Sequence, residues 1–319
     1  MTVSVSVYKL YSYGFDVNIE TILILELAEE SRTAMRWGVE KRLEFIEFRL
    51  FWEGGINRAD IMERFGVSVP QASKDLSLYE EKAPGNLAYD KRQKRYLAAP
   101  NFKPVFLQPE PDRYLSQLRS VSDHVISAEE TWLLDMPETD AMPVPHRRVD
   151  VNVLRSLLSA VRQRRAIEIL YQSMNPTRRQ PTRRWITPHA FGNDSLRWHV
   201  RAYCHVDKKF KDFLLSRCLE ARGNGEAGAS PEDDVFWNET FQVVLSPNPA
   251  LGANQRAIVA QDYNMTDGRV CVPVRKALLY YFQKRLRLDV ASALDEPQET
   301  PVVIANNEEF AEALAEATA

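Results

Sequence analysis

The 319-residue sequence predicts a multidomain α+β protein: an N-terminal winged helix-turn-helix, a small antiparallel β-barrel in the middle and a compact C-terminal α+β module. Three observations carry that reading. Apolar residues recur at helical spacing from Leu43 to Tyr79, broken by glycine turns; the period falls to two between Ala166 and Cys218; and the tail from Thr240 alternates strand-like and helix-like runs.

Composition narrows the class. Apolar residues make up 45% and charged residues 27%, ordinary values for globular chains of this length, and the formal charge is only −3. That total hides a strong local excess, because residues 146–222 hold 17 Lys and Arg against 6 Asp and Glu, whereas residues 104–145 and the tail after Gly223 are acidic. The three cysteines, Cys204, Cys218 and Cys271, are odd in number and lack CxxC spacing, which fits a reducing cytoplasm better than a disulfide framework. No run is apolar for long enough to span a membrane, and the N-terminus lacks signal-peptide architecture. Residues 1–34 match poorly with the rest of the chain, so Met35 is expected as the native start and 1–34 as an extension.

Each element has a local reason. From Glu40, the residues Leu43, Ile46, Phe48, Leu50 and Phe51 define a first helix, which Gly54-Gly55 stops. Asn57 can cap a short second helix through Phe65, Gly66 supplies the turn, and Ser68 caps a third helix with Val69, Ala72, Leu76 and Tyr79 on one face. Leu87-Ala88-Tyr89 and Arg95-Tyr96-Leu97 read as a hairpin wing with a basic tip, closing a domain over 35–103. Residues 104–165 form a helical linker and dimerisation segment, with helices at 111–121, near 128–134 and at 149–165. Four strands come next within 166–222, at 166–171, 184–188, 196–204 and 210–218, spaced as in a small barrel. Gly223 to Asp234 reads as a flexible linker. A module over 235–319 has strands at 240–245 and 269–274 and helices at 253–261 and 277–286.

Chemistry points to two sites. The start of the third helix presents Ser68, Gln71, Ser73 and Lys74, small or hydrogen-bonding residues suited to base edges in a major groove, and the wing adds Lys91, Arg92, Lys94 and Arg95 for phosphates. In the strand 196–204 alternation puts Leu196, Trp198, Val200, Ala202 and Cys204 on one face, expected to be core. The other face holds Arg197, His199, Arg201, Tyr203 and His205, a cationic row expected to form an anion site with Arg183, Arg184 and Arg217. Adjacent Cys204 and His205 point to opposite faces and cannot share a metal, and Cys204 and Cys218 read as core thiols. No GxSxG, HExxH, P-loop or GxGxxG occurs, and carboxylates are few in this region, so no catalytic residue or cofactor is expected.

The strand series Ile169 to Tyr171, Arg184 to His189, Arg197 to Cys204 and Phe213 to Arg217 resembles the WYL domain of bacterial transcriptional regulators, whose namesake tripeptide is here Trp198-His199-Val200. The run 36–98 is similar to the winged helix-turn-helix of WYL-type repressors found beside BREX and CBASS anti-phage defence islands. The tail from Phe241, with Pro247-Asn248-Pro249 and Gln255, resembles the extension that comes after WYL domains in them. The resemblance implies an Sm-like barrel as ligand sensor and a homodimer on double-stranded inverted-repeat DNA. It also implies a nucleotide or nucleic acid effector held by Tyr171, Ser173, Arg184, His189, Trp198, His199, Arg201 and Arg217. By alternation Trp198 belongs in the core instead. The reading is therefore a repressor of a phage-defence operon, relieved when an anion binds. An activator of the same architecture and an enzyme using His199 or His189 stand as alternatives.

Overall fold

The computed structural model describes residues 38–290 and 296–318, so the expectation about 1–34 and Met35 lies outside the described residues. The chain divides into two compact units, one ending at Pro143 and one beginning at Val144.

In the first unit α1 runs through residues 38–53 and buries Leu43, Phe45, Ile46, Phe48 and Leu50. Phe51, expected on that face, is 41% exposed and packs edge-on against Trp52. After β1 (Gly55–Ile56) comes α2 (Arg58–Phe65), which starts on a reciprocal cap: Asn57 accepts from the Asp60 amide and Asp60 from the Asn57 amide. It ends on Gly66, whose φ of 63° few other residues adopt. Ser68 caps α3 (Val69–Lys82), with Pro70 in the first turn; Ala72, Leu76 and Tyr79 are buried, but Val69 is 48% exposed. β2 (Leu87–Asp90) and β3 (Arg95–Ala98) form the wing, and β1 joins them in the sheet order β1-β3-β2.

One carboxylate organises this unit. Glu47 of α1, fully buried, accepts hydrogen bonds from the amides of Val105 (2.8 Å), Phe106 (2.7 Å) and Leu107 (2.7 Å) and from the Tyr79 hydroxyl (3.0 Å). Asn86 extends the network, donating to Tyr79 Oη and the Lys103 carbonyl and accepting from the Lys103 amide. An otherwise structureless run thereby has its amides satisfied by a buried carboxylate. Burial, with Glu47 nearby, pushes the Tyr79 phenol well above its ordinary range. Helix α4 (Pro111–Ser122) packs Leu118 with Phe48, Leu107 and Leu133. The helix expected near 128–134 is a single 3₁₀ turn, Ala128–Glu130. Thr131 Oγ1 bonds back to the Ala128 carbonyl and accepts from the Leu133 amide, which diverts the backbone from helix.

In the second unit α5 (Val151–Gln163), capped by Asp150, packs Val153, Leu157 and Ala160 into a core shared with Ile167, Ile169, Ile186, Val200, Ala202, Cys204 and Phe213. The strands are β4 (Ala166–Tyr171), β5 (Thr182–Asn193), β6 (Trp198–Cys204), β7 (Lys209–Leu214) and β8 (Cys218–Gly225), all antiparallel neighbours in the order β7-β6-β5-β4-β8. The expected barrel is thus an open five-stranded sheet: β8 pairs with β4, and among the described residues no ladder joins it to β7.

The end of β8 overlaps the expected flexible linker. Its glycines serve close approach instead, since a Cβ on Gly225 would fall 2.7 Å from the Trp185 ring that lies over it. The C-terminal module is a second sheet, β10-β9-β11, formed by β9 (Thr240–Pro247), β10 (Val270–Arg275) and β11 (Val302–Ile304). Helices α6 (Val235–Asn238), α7 (Ala253–Asp262), α8 (Leu279–Arg285) and α9 (Asn307–Thr318) accompany it. Val243, Leu245, Val274, Leu279, Phe310 and Ala313 make its core. The three-residue β11 and the acidic, alanine-rich α9 have no counterpart among the elements expected from sequence.

Replacing Glu47 by Ala leaves the buried Leu107 amide and the part-buried Val105 and Phe106 amides without this acceptor and is expected to cost the first unit about 3 kcal/mol. Urea denaturation monitored by tryptophan fluorescence measures it, and a loss below about 1 kcal/mol would show that Glu47 is dispensable.

Candidate DNA-binding and effector sites

The winged unit presents two groups of side chains. At the start of α3, Ser68 and Lys74 are exposed and Gln71 and Ser73 half-buried. Ser68 Oγ accepts from the Gln71 amide, and Ser73 Oγ from Arg58 (3.4 Å). The Gln71 side chain donates to Asp75 Oδ1 at 2.8 Å, and buried Asp75 is held in turn by Arg42 at 2.6 and 3.2 Å. The Gln71 amide head is therefore oriented before any partner arrives. On the wing Asp90 accepts from the amides of Arg92 and Gln93, fixing the tip, and Lys91, Arg92 and Lys94 are exposed. Arg95 behaves differently. Its guanidinium turns inward to the Gly55 carbonyl (2.6 Å), leaving a buried Nε without a hydrogen-bond partner, and so it braces the β1–β3 corner.

The residues expected to hold an anion fall into two clusters and one outlier. In the first cluster buried Arg184 sits with its guanidinium 5.8 Å from the Tyr171 ring and 6.0 Å from Phe213. Its Nη2 donates to Thr182 (2.7 Å), its Nη1 lies 3.7 Å from Asp207, and its buried Nε has no hydrogen-bond partner. Arg217 lies beside Tyr171, and its carbonyl accepts from the Gln172 amide, which brings Ser173 alongside. Asp207 gathers Arg178 (2.9 Å) and Lys211 (2.9 Å), and these contacts hold its carboxyl far below the usual range.

The second cluster contains His189, His199 and Arg201, and it corrects the expectation of an open cationic face. Arg201 is 5% exposed and donates to Asp234 through Nε (2.8 Å) and Nη2 (3.0 Å) and to Asp212 through Nη1 (3.4 Å). Burial opposes its charge, but the two carboxylates outweigh that and raise its pKa. His189 Nε2 lies 2.9 Å from Asp234 Oδ2. His199 Nε2 lies 3.2 Å from Asp194, which Arg197 also meets at 2.7 Å, and His205 Nε2 lies 2.8 Å from Thr187 Oγ1. Carboxylates are therefore not scarce here; Asp194, Asp212 and Asp234 neutralise the row from within the fold.

The outlier is Trp198. Expected in the core by alternation, it is 56% exposed beside Leu196 (48%), because β6 begins at Trp198, beyond the edge of the packed sheet, whereas Val200, Ala202 and Cys204 are fully buried. Cys218 is also core, and burial pushes its thiol up to about 12. Among the described residues no group of three or more His, Cys, Asp or Glu could hold a metal, and no helix is long and apolar enough to cross a membrane. A cavity of about 590 Å³ lies between α5, β5 and residues 227–231, but of the expected effector residues only His189 lines it. Asp234 and Tyr281 escape the sequence reading altogether. An Asp immediately before the apolar run Val235-Phe236-Trp237 is a helix-start signal that could have exposed Asp234 within the supposed linker.

A capped helix-turn-helix with a basic wing, then an arginine-rich antiparallel sheet and a small α+β module, defines a DNA-binding transcriptional regulator of the WYL class. Three family models match in the same order: the BrxR transcriptional regulator winged helix-turn-helix domain over 38–120, the WYL domain over 152–222 and the BrxR C-terminal dimerization domain over 240–310. The chain is 40% identical over 278 residues to the DNA-binding transcriptional repressor CapW of Stenotrophomonas maltophilia, covering 86% of this chain and 92% of that one. It is 36% identical over 283 residues to CapW of Escherichia coli (strain KTE188), covering 89% and 94%. The chain belongs to this BrxR/CapW family of transcriptional regulators and is not an enzyme. A solved structure, the proteasome accessory factor PafBC of Arthrobacter aurescens, aligns with 88% of this chain and 48% of its own at 17% identity and a TM-score of 0.24, a likeness too low to bear on function.

Asp234 has its pKa lowered from an ordinary 3.8 to about 2; its burial opposes this, and His189 and Arg201 outweigh it. The unfolded chain takes up this proton first as pH falls. The stabilisation is thus complete above about pH 5 and is lost progressively toward pH 2. Asp234→Asn is expected to flatten the unfolding free energy of the second unit between pH 5 and 2 by about 2 kcal/mol, read from urea denaturation at stepped pH. An unchanged slope would remove Asp234 from the acid response.

Proposed function

We propose that this protein is a homodimeric, sequence-specific transcriptional repressor of a phage-defence operon, acting in the cytoplasm. It binds an inverted repeat with one α3 in each major groove and is relieved by a nucleotide or nucleic acid effector at the WYL sheet. The observation that carries the DNA-binding half is the exposed start of α3, with Gln71 pre-oriented by Asp75, beside a wing whose Lys91, Arg92 and Lys94 are free to meet phosphates. Ser68, Ser73 and Lys74 complete the helix contact. Arg95 supports the wing rather than touching DNA.

The effector half rests on Arg184, a buried guanidinium whose Nε is unsatisfied and which faces Tyr171 beside Arg217 and Ser173. An anionic group there would add charge-assisted hydrogen bonds that the fold leaves unmade. His189, His199 and Arg201 already have partners and form the wall behind this sheet, and Trp198 stands at its exposed rim. An effector that prefers one arrangement of the dimer shifts the population away from the form that spans both half-sites.

Footprinting on the gene's upstream DNA, together with a reporter on the same promoter in cells lacking the gene, tests this reading; a reporter that falls on deletion would mean activation. Gln71→Ala is expected to weaken specific binding by about 1–3 kcal/mol. Lys91→Ala should weaken all sequences alike and reduce the slope of log affinity against log salt by about one. Arg184→Ala should leave operator binding within about twofold while abolishing derepression in infected cells, and a variant that still derepresses would move the effector elsewhere.

A further inference from the structure

The run 226–239 crosses the polar face of β6 as a fastened strap. Its Gly228 amide donates to Thr187 Oγ1 at 2.9 Å, and a Cβ on Gly228 would fall 2.8 Å from the His205 ring and 3.1 Å from Tyr203. The strap ends at Asp234, which grips Arg201 through both oxygens, meets His189 and accepts from the Trp237 amide at the start of α6 (3.3 Å). From there the contacts enter the C-terminal module. The Trp237 ring carries the Arg275 guanidinium at 4.9 Å, and the Glu239 carbonyl accepts from the Lys276 amide at 3.0 Å.

A second arm leaves the same arginine. Arg201 also meets Asp212 on β7, Asp212 accepts from the Tyr281 hydroxyl on α8 (3.2 Å), and the Tyr281 ring lies 4.8 Å from His199 on β6. Arg201 therefore stands between two carboxylates, one leading to α6 and β10, the other to α8. We propose that Arg201, clamped by Asp234 and Asp212, is the positioning residue that couples the WYL sheet to the C-terminal module, so that a displacement of β6 is passed to the dimerization domain. The geometry favours transmission because losing either carboxylate leaves a buried guanidinium underpaired, which is costly.

Hydrogen exchange read by mass spectrometry on the full-length protein tests the coupling with two shape-conserving variants, Asp234→Asn and Tyr281→Phe, which weaken one arm each. Each is expected to accelerate amide exchange in Leu279–Arg285 by about tenfold more than it accelerates the amides of Ala166–Tyr171. Exchange in α8 that is unchanged in both variants overturns the proposal. So does equal acceleration throughout the second unit in both, which marks the arms as general supports.

A second readout rests on the repressor reading above. Both variants should lose about tenfold in affinity for a paired half-site while binding a single half-site as the wild type does. Faster α8 exchange with unchanged paired-site affinity overturns the transmission. Failure of the wild type itself to bind its upstream DNA would instead overturn the repressor reading, and the exchange result would then decide the coupling alone.

Discussion

Removing a guanidinium from water is costly unless carboxylates match it, and Arg201 imposes that condition on the second unit. Its two partners come from different places in the chain, Asp212 on the neighbouring strand and Asp234 at the head of a short helix. Satisfying it fixes the path of residues 226–239, the seat of α6 and, through Tyr281, the approach of α8. On the polar face of β6, His199 and Arg201 are thus covered from within the fold.

The winged unit solves a comparable problem with one buried anion. Glu47 gathers the amides of an extended segment and the hydroxyl of Tyr79, so α1, α3 and the run after the wing are held by a single side chain. At the outward start of α3, Ser68 caps the helix, Ser73 accepts from Arg58, and the bond from Gln71 to Asp75 restricts its head while its position remains half-exposed. In both units polar groups fix geometry, while the buried Arg184 keeps an unsatisfied Nε and the wing's Lys91, Arg92 and Lys94 are exposed.

Local signals are legible in the sequence. Asn57, Gly66 and Ser68 announce the helix-turn-helix because capping is a matter of a few adjacent residues. Strand positions 166–171 and the inward Val200, Ala202 and Cys204 come from a period of two. Alternation does not reveal what lies over each face. Arg201 looks like a solvent-facing cation until Asp234, 33 positions away, folds back over it, and His199 does so until the Tyr281 ring packs against it. Trp198 shares the parity of core residues but sits past the end of the packing. Gly223 and Gly225 suggest flexibility because the Trp185 ring that presses on them is remote in sequence.

An unclosed sheet has two unpaired borders, and each is a template on which another chain could add a strand. Here β7 carries Lys209 and Lys211, and β8 carries Glu220 and Arg222 and terminates at glycines bent beneath Trp185. A further strand arriving at either border would meet charge, or a ladder that ends early. Borders of this kind discourage open-ended stacking into polymers.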